Sequence, residues 1–345
     1  MAMRVTTNGT MYNYKSSLMR SRKALDDAAT KVLTQRNFNS FAEDPASASR
    51  AFQIRRNIWR TDGQIRNSES VIHRFEAAFS ATGNVVEKLG GELGIETALR
   101  GISDQIGSGR NPLGQVLLST SDSIVQTMNS PYGDGFLFAG ADGLNVPFSW
   151  GNNGELLYRG IDVNTTDPAE LAKLDAMSKE TTYVDLGLGL AEDADGKLVT
   201  SSVFNSAIPG VKLLGYGMDA EGLPNNLVSI MKELGDIFAN SDLDSGDYAS
   251  AGDAERAQKL TKKLENTLGN LRANHIEIDT RSAFLHTNQT RLESARFDMN
   301  EQLTSLEQMD PALAITAMSQ AQFAYNAALK IGNDILSQSL LDYMK

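Results

Sequence analysis

Closely spaced carboxylates are the side chains of this chain best suited to chemistry. Asp242, Asp244 and Asp247 sit together in SDLDSGD, and Asp193 and Asp195 in EDADGK. Alternating carboxylates supply oxygen ligands in calcium loops, but such loops run over about twelve residues and end on a bidentate Glu. Neither stretch completes that pattern, and Gly and Asp together are also ordinary turn formers. The histidines, His73, His275 and His286, fall in helical patterns, none with a second His four residues on. There is no cysteine, which removes disulfides, thiolate nucleophiles and thiolate metal sites. G-x-x-x-x-G-K, G-x-S-x-G and H-E-x-x-H are all missing, so nucleotide, serine-hydrolase and zincin readings lack support. The sequence predicts no catalytic residue, no metal ligand and no cofactor.

With 345 residues, of which 41% are hydrophobic, the chain can build a real core over one to three domains. No apolar run approaches the length of a membrane span, so no membrane insertion is expected. The start MAMRVTTNGTMYNYKSSL has no apolar h-region, and a cleaved signal peptide is not expected. The net charge of −11 is uneven. Residues 1–75 hold 13 Lys/Arg against 6 Asp/Glu, a net +7, which leaves −18 on the remainder. No nucleic-acid motif accompanies the basic segment, so it is read as a helix face that meets water or acidic residues, not nucleic acid.

What must position any site is a set of long helices. Met11, Leu18, Leu25 and Val32 recur every seven residues, with Tyr14, Ser21, Ala28 and Gln35 in companion places. This is a coiled-coil seam over 5–37. A second seam carries Ala51, Ile58, Ile65, Ile72, Phe79, Val86 and Leu93. It predicts a helix of about 45 residues and roughly 70 Å, stopped by Gly90-Gly91 and Gly94. A shorter helix is expected over 112–128. Residues 131–250 change texture, with Gly-, Asp- and Asn-rich turns between short apolar runs. Strands are expected at 136–139, 146–150, 155–159, 181–187 and 197–205, with helices at 168–178 and 225–240. A long seam returns over 253–308 as Leu264, Leu271, Ile278, Leu285, Leu292, Met299 and Leu306. The last helix has one stripe of Ala314, Ala317, Ala321, Ala324, Ala328, Ile331 and Ile335 beside another of Ile315, Met318, Tyr325, Leu329 and Leu336. A helix apolar over that much of its circumference must be buried.

Asp44-Pro45-Ala46 and Asp310-Pro311-Ala312 punctuate this pattern. Asp is a good N-cap and Pro suits the first helical position, so each dipeptide marks a joint where one helix ends and the next begins. Long single helices need partners for their apolar faces. The economical fold goes out and comes back. It is mainly α with an α+β insert, a long antiparallel helical rod made by the N- and C-terminal segments, and a smaller mixed domain at the far end. The rod core is expected from Ile58, Ile65, Ile72, Phe79 and Val86 against Leu271, Ile278, Leu285 and Leu292. The expected divisions are an N-terminal assembly helix (1–43), the two rod halves (44–130 and 251–309), the insert (131–250) and a C-terminal assembly helix (310–345). One partner covers only part of the last helix, so the terminal helices are expected either to be disordered in the monomer or to be buried between subunits, as in head-to-tail assemblies.

Over residues 3–145 and 250–345 the sequence resembles the flagellin superfamily of bacterial flagella, and within it the members of the hook–filament junction. The resemblance rests on the start MRVTTNGTMYNYKSSL and on FAEDPASASRA at the family's asn-x-x-asp-asp-pro-ala joint, where Phe41 and Glu43 depart from the commonest form. It rests also on GFLFAG (Gly135–Gly140), on RLESA, and on SLEQMDPALAITAMSQAQFAYNAALKIGNDILSQSLLDY with its Asp342-Tyr343 end. It implies a structural, extracellular flagellar protein, exported through the type III apparatus without a cleaved signal and held by an export chaperone. Implied partners are copies of itself in a ring or helical assembly, the first hook-associated protein and flagellin. The assembly positions it implies are Met11, Leu18, Leu25, Val32, Ala321, Ala324, Ala328, Ile331 and Leu340. Two other readings stay open: a flagellin that forms the filament itself, and an enzymatic or adhesive insert displayed on a flagellar scaffold.

Overall fold

A computed structural model describes residues 7–92, 94–103, 109–193, 195–199, 202–243 and 245–343. Leu93 and Asp244 therefore lie outside the described residues. The chain opens with α1 (Thr7–Thr34) and α2 (Pro45–Gly90), then α3 (Ile95–Ser103) and α4 (Arg110–Met128). Short antiparallel pairings follow. They are β1 (Pro131–Tyr132) with β2 (Gly135–Phe136), the meander β3 (Phe148–Trp150), β4 (Leu156–Tyr158), β5 (Ile161–Asp162), and β6 (Tyr183–Val184) with β7 (Phe204–Asn205). In the meander Phe148 faces Tyr158, and Tyr158 in turn faces Ile161. Helix α5 (Pro168–Ser178) lies between β5 and β6, and α6 (Gly210–Leu214) and α7 (Leu227–Ala239) follow β7. The long helices α8 (Ala251–Glu307) and α9 (Pro311–Tyr343) close the chain. The fold is mainly α with a small mixed portion.

The described chain forms two compact units, one of Met1–Asp62 with Glu293–Lys345 and one of Gly63–Leu292. These units cut across the boundaries at 130/131 and 250/251 expected from texture. The second unit shows why. Phe75 of α2, Leu117 of α4, Phe138, Val211 of α6, Leu234 of α7 and Leu271 of α8 belong to one hydrophobic cluster. The residues of the mixed segment are thus part of the same core as the helices around them. Helix α4 packs closely on α7 because both carry glycine at the crossing. A Cβ on Gly114 would strike the backbone of Gly235, Phe238 and Ala239.

Within this second unit α2 and α8 run antiparallel. His286 Nε2 lies 3.3 Å from Glu76 Oε1, and Phe79 stacks on His275 at 4.2 Å. Further along, Glu96 of α3 accepts from Arg272 at 2.9 Å. The α8 column Leu264, Leu271, Ile278, Leu285 and Leu292 is buried throughout. On α2 the column with the most apolar side chains is not the buried centre. Ile65 and Ile72 are buried and Val86 is half-buried, but Phe79 is 38% exposed. The centre is Ser68, Phe75, Thr82 and Leu89, all buried. Small hydroxyl residues there fill little volume; Thr82 bonds its own helix, while the buried Ser68 Oγ has no hydrogen-bond partner. The Thr82 hydroxyl donates to Ala78 O at 2.8 Å. A pattern sought only in apolar residues registers Phe75 and Leu89 of this column but passes over Ser68 and Thr82.

Candidate assembly interface

The joints can be built from single residues. Pro45 and Pro311 are the first residues of α2 and α9, where a missing N–H costs nothing. The Ser47 N–H donates to Asp44 Oδ1 at 3.0 Å, and the Ala312 N–H donates to Asp310 Oδ1 at 2.8 Å. Hydrogen bonds from Ser47, side chain first and then backbone, hold the Asp44 carboxyl below its usual range. The two joints are also tied to each other. Asn37 N–H donates to Glu307 O at 2.8 Å, and Met309 N–H donates to Gln35 O at 3.0 Å. The Asn37 side-chain amide donates to both Leu306 O and Gln308 O at 3.0 Å. Arg55 of α2 pairs with Glu307 of α8, and Arg296 of α8 pairs with Asp62 of α2.

From this clamp α1 and α9 run back antiparallel and pack on each other. Tyr14, Leu18, Ser21, Leu25, Ala28 and Val32 are half-buried on α1, at alternating spacings of four and three. On α9 the matching line is Ala314, Met318, Ala321, Tyr325, Ala328 and Gly332, with the same alternation. This is the heptad seam of a two-helix coiled coil. Alanine at every seventh place lets the axes approach. Gly332 leaves the space that the Tyr14 ring occupies, since a Cβ there would collide with it.

The seam therefore holds Leu18, Leu25, Val32, Ala321 and Ala328 of the implied assembly positions. Met11 is 40% exposed, and Ala324 and Ile331 lie on the open side of α9. The side chain of Leu340 lies outside the described residues, as do those of Ile335 and Leu336. Of the expected rod core, Ile58 is half-buried, beside buried Ala51 and Thr61. Much apolar surface stays uncovered. Tyr12, Met19 and Leu33 of α1 and Leu313, Ile315, Phe323, Leu329 and Ile331 of α9 are all exposed. From Pro311 to Asn333, α9 contains no carboxylate and one cation, Lys330. Each such group gains about 1.5–3 kcal/mol when it is fully removed from water. Contiguous apolar patches of this kind are candidate interaction surfaces.

The groups that resembled chemistry close turns or pack. Asp193 Oδ1 accepts from the Asp195 and Lys197 backbone, both at 2.9 Å, and Gly196 takes φ +74°. Asp219 repeats the turn, accepting from Glu221 and Leu223 at 2.9 Å, with Gly222 at φ +72°. Asp242 Oδ1 accepts from the Ser245 N–H at 2.8 Å. Among the described residues no three His, Asp or Glu side chains are arranged to hold a metal ion, and no helix is long and apolar enough to cross a membrane. His73 and His286 both flank Glu76. His275 lies with Nδ1 2.8 Å from Thr82 Oγ1. Burial lowers the His275 pKa.

No family model and no curated protein matches the chain. Solved structures do. A flagellar hook-associated protein of Vibrio parahaemolyticus is 14% identical, with 77% of this chain and 100% of that one covered and a TM-score of 0.51. FlgL of Bacillus cereus (14% identity, 73% and 99% coverage, TM-score 0.43) and flagellar hook-associated protein-3 of Legionella pneumophila (14%, 74% and 98%, 0.46) score lower. The chain shares its fold with the Vibrio flagellar hook-associated protein.

Proposed function

We propose that this chain is a structural, non-catalytic subunit of the bacterial flagellum, an adaptor that joins hook to filament in a ring built through its terminal helices. One observation carries the reading. The terminal pair α1–α9 is clamped at its joint and zipped along one seam, yet keeps large apolar groups exposed on both helices. A contiguous apolar surface of that kind marks a site for other subunits to cover. The fold shared with a flagellar hook-associated protein supplies the setting. Copies of itself, the first hook-associated protein and flagellin are the partners of this reading. An export chaperone shields the C-terminal helix, and delivery is extracellular. The test is sedimentation and electron microscopy of the purified chain with filament seeds. An adaptor stays monomeric alone, caps hook-side ends and accepts flagellin. Long filaments of this chain alone would make it a flagellin instead.

A further inference from the structure

The first unit carries two exposed faces that complement each other. Both belong to its helix pair, and neither touches the α1–α9 seam. On α2, Phe52 and Trp59 are seven residues apart and 68% and 74% exposed. Arg56 falls between them on the same face, and Arg60 lies one turn further on. Neither arginine pairs with a carboxylate among the described residues. Ala51, Ile54, Ile58 and Thr61, which are buried or half-buried, occupy the opposite side, so this face points away from α8. On α8, Phe297 is 63% exposed, with Asp298 and Glu301 exposed beside it. Leu303 and Leu306 turn the other way and are half-buried. Neither Asp298 nor Glu301 pairs with a cation among the described residues. A solvated helix carries charges at such positions, not Trp and Phe, and central Trp and Arg groups carry most of the energy of protein interfaces.

We infer that the Phe52–Arg56–Trp59 face of one copy docks on the Phe297–Asp298–Glu301 face of the next copy. The inference rests on the assembly reading above and names a contact through which copies meet. Charge selects the partner face. Two α2 faces meeting each other would oppose Arg56 and Arg60 to the same pair, and two α8 faces would oppose carboxylates, both unfavourable. The α2 face against the α8 face sets cations on anions and ring on ring. Because the contact joins two unlike faces, one on α2 and one on α8, it is heterologous. It propagates from copy to copy, closing as a ring or running on as a helix.

The chain has no cysteine, so a disulfide trap reads the contact directly. R56C and E301C are made singly in the full chain, and both sites are exposed, so neither disturbs packing. Each is assembled on filament seeds and oxidised mildly, alone and mixed. The mixture is expected to give crosslinked dimers and the double variant a ladder of oligomers, while each single variant stays uncrosslinked. Trp59→Ala is expected to weaken assembly by about tenfold or more. R56E/R60E copies are expected to lose assembly with one another and to regain it on D298K/E301K copies. Self-crosslinking of R56C would overturn the inference in favour of a two-fold contact. Sedimenting assemblies with no crosslink in the mixture would overturn it while leaving the assembly reading intact. A native chain that never sediments with seeds would remove both.

Discussion

The two compact units use their apolar residues in opposite ways. In Gly63–Leu292, large side chains such as Phe75, Leu117, Ile124, Met128 and Phe138 are completely buried. In the unit of both termini the buried apolar residues are small, Ala51 and Ala314, while Leu18, Leu25 and Val32 are half-covered and Phe52, Trp59, Phe297 and Phe323 are exposed. The difference is one of completeness. The larger unit encloses a core of large side chains, although Leu144, Leu243 and Ile276 stay exposed on its surface. The terminal unit is a pair of two-helix layers, each helix covered on one side, and two helices cannot enclose a core. Its remaining apolar surface is left exposed.

Substitutions can sharpen or break that contrast. The largest effect is expected at Phe75, which packs edge-on against Phe204 at 5.5 Å under the Arg281 guanidinium. Phe75→Ala should cost about 3–5 kcal/mol in urea unfolding of the monomer. A loss under about 1 kcal/mol would mean that the larger unit is not a close-packed core. Asn226 comes next. It is wholly buried, caps α7 by accepting from Val228 and Ser229, and donates to Gly215 O at 2.8 Å. Asn226→Ala should cost about 2 kcal/mol by the same assay, since it strands the cap donors and a turn carbonyl together. In the terminal unit, Leu25→Ala should cost the isolated monomer only about 1 kcal/mol, because half its surface is already wet. The same change should abolish sedimentation with seeds. Equal losses at Leu25 and Phe75 in the monomer would erase the contrast.

The smallest effect is a pH dependence at His275. Burial holds its folded pKa below the unfolded value of 6.5, so the unfolded chain takes up its proton first. The stability it contributes is present above pH 6.5 and is lost as pH falls through the folded value. Urea midpoints measured from pH 7.5 down to pH 5 should fall more steeply for the native chain than for His275→Gln. Parallel curves would mean that His275 is solvated as freely in the folded chain as in the unfolded one.

The sequence made some of this fold readable because the relevant physics is local. Asp44-Pro45 and Asp310-Pro311 announce helix starts through capping and the missing proline donor, and the structure places α2 and α9 there. Asp167-Pro168 opens α5 in the same way. The α8 column is apolar at every step, so its period is unmistakable. Three kinds of feature were hidden. The buried column of α2 contains Ser68 and Thr82, which hydropathy reads as surface. The strands are two or three residues long, too short for an alternation to declare itself, and α3 and α6 have no long-range period. The candidate docking faces were missed because Phe52, Trp59 and Phe297 lie off every seam. Their signal was the appearance of large aromatics where a helix should be polar.

The hydrogen-bonded clamp between residues 35–37 and 306–309 has a kinetic consequence. It joins chain segments some 270 positions apart, as the Asn37–Leu306 and Asn37–Gln308 contacts do at separations of 269 and 271. Once it is formed, α1 and α9 meet as though linked by a very short tether. Their mutual effective concentration is then set by that tether, on the order of millimolar, instead of by closure of the whole chain. Pairing is therefore expected to start at Val32 beside the clamp and advance towards Tyr14, with its weakest turn at the far end. The seam is then expected to fray first at its Tyr14–Gly332 end while the clamp holds the joint.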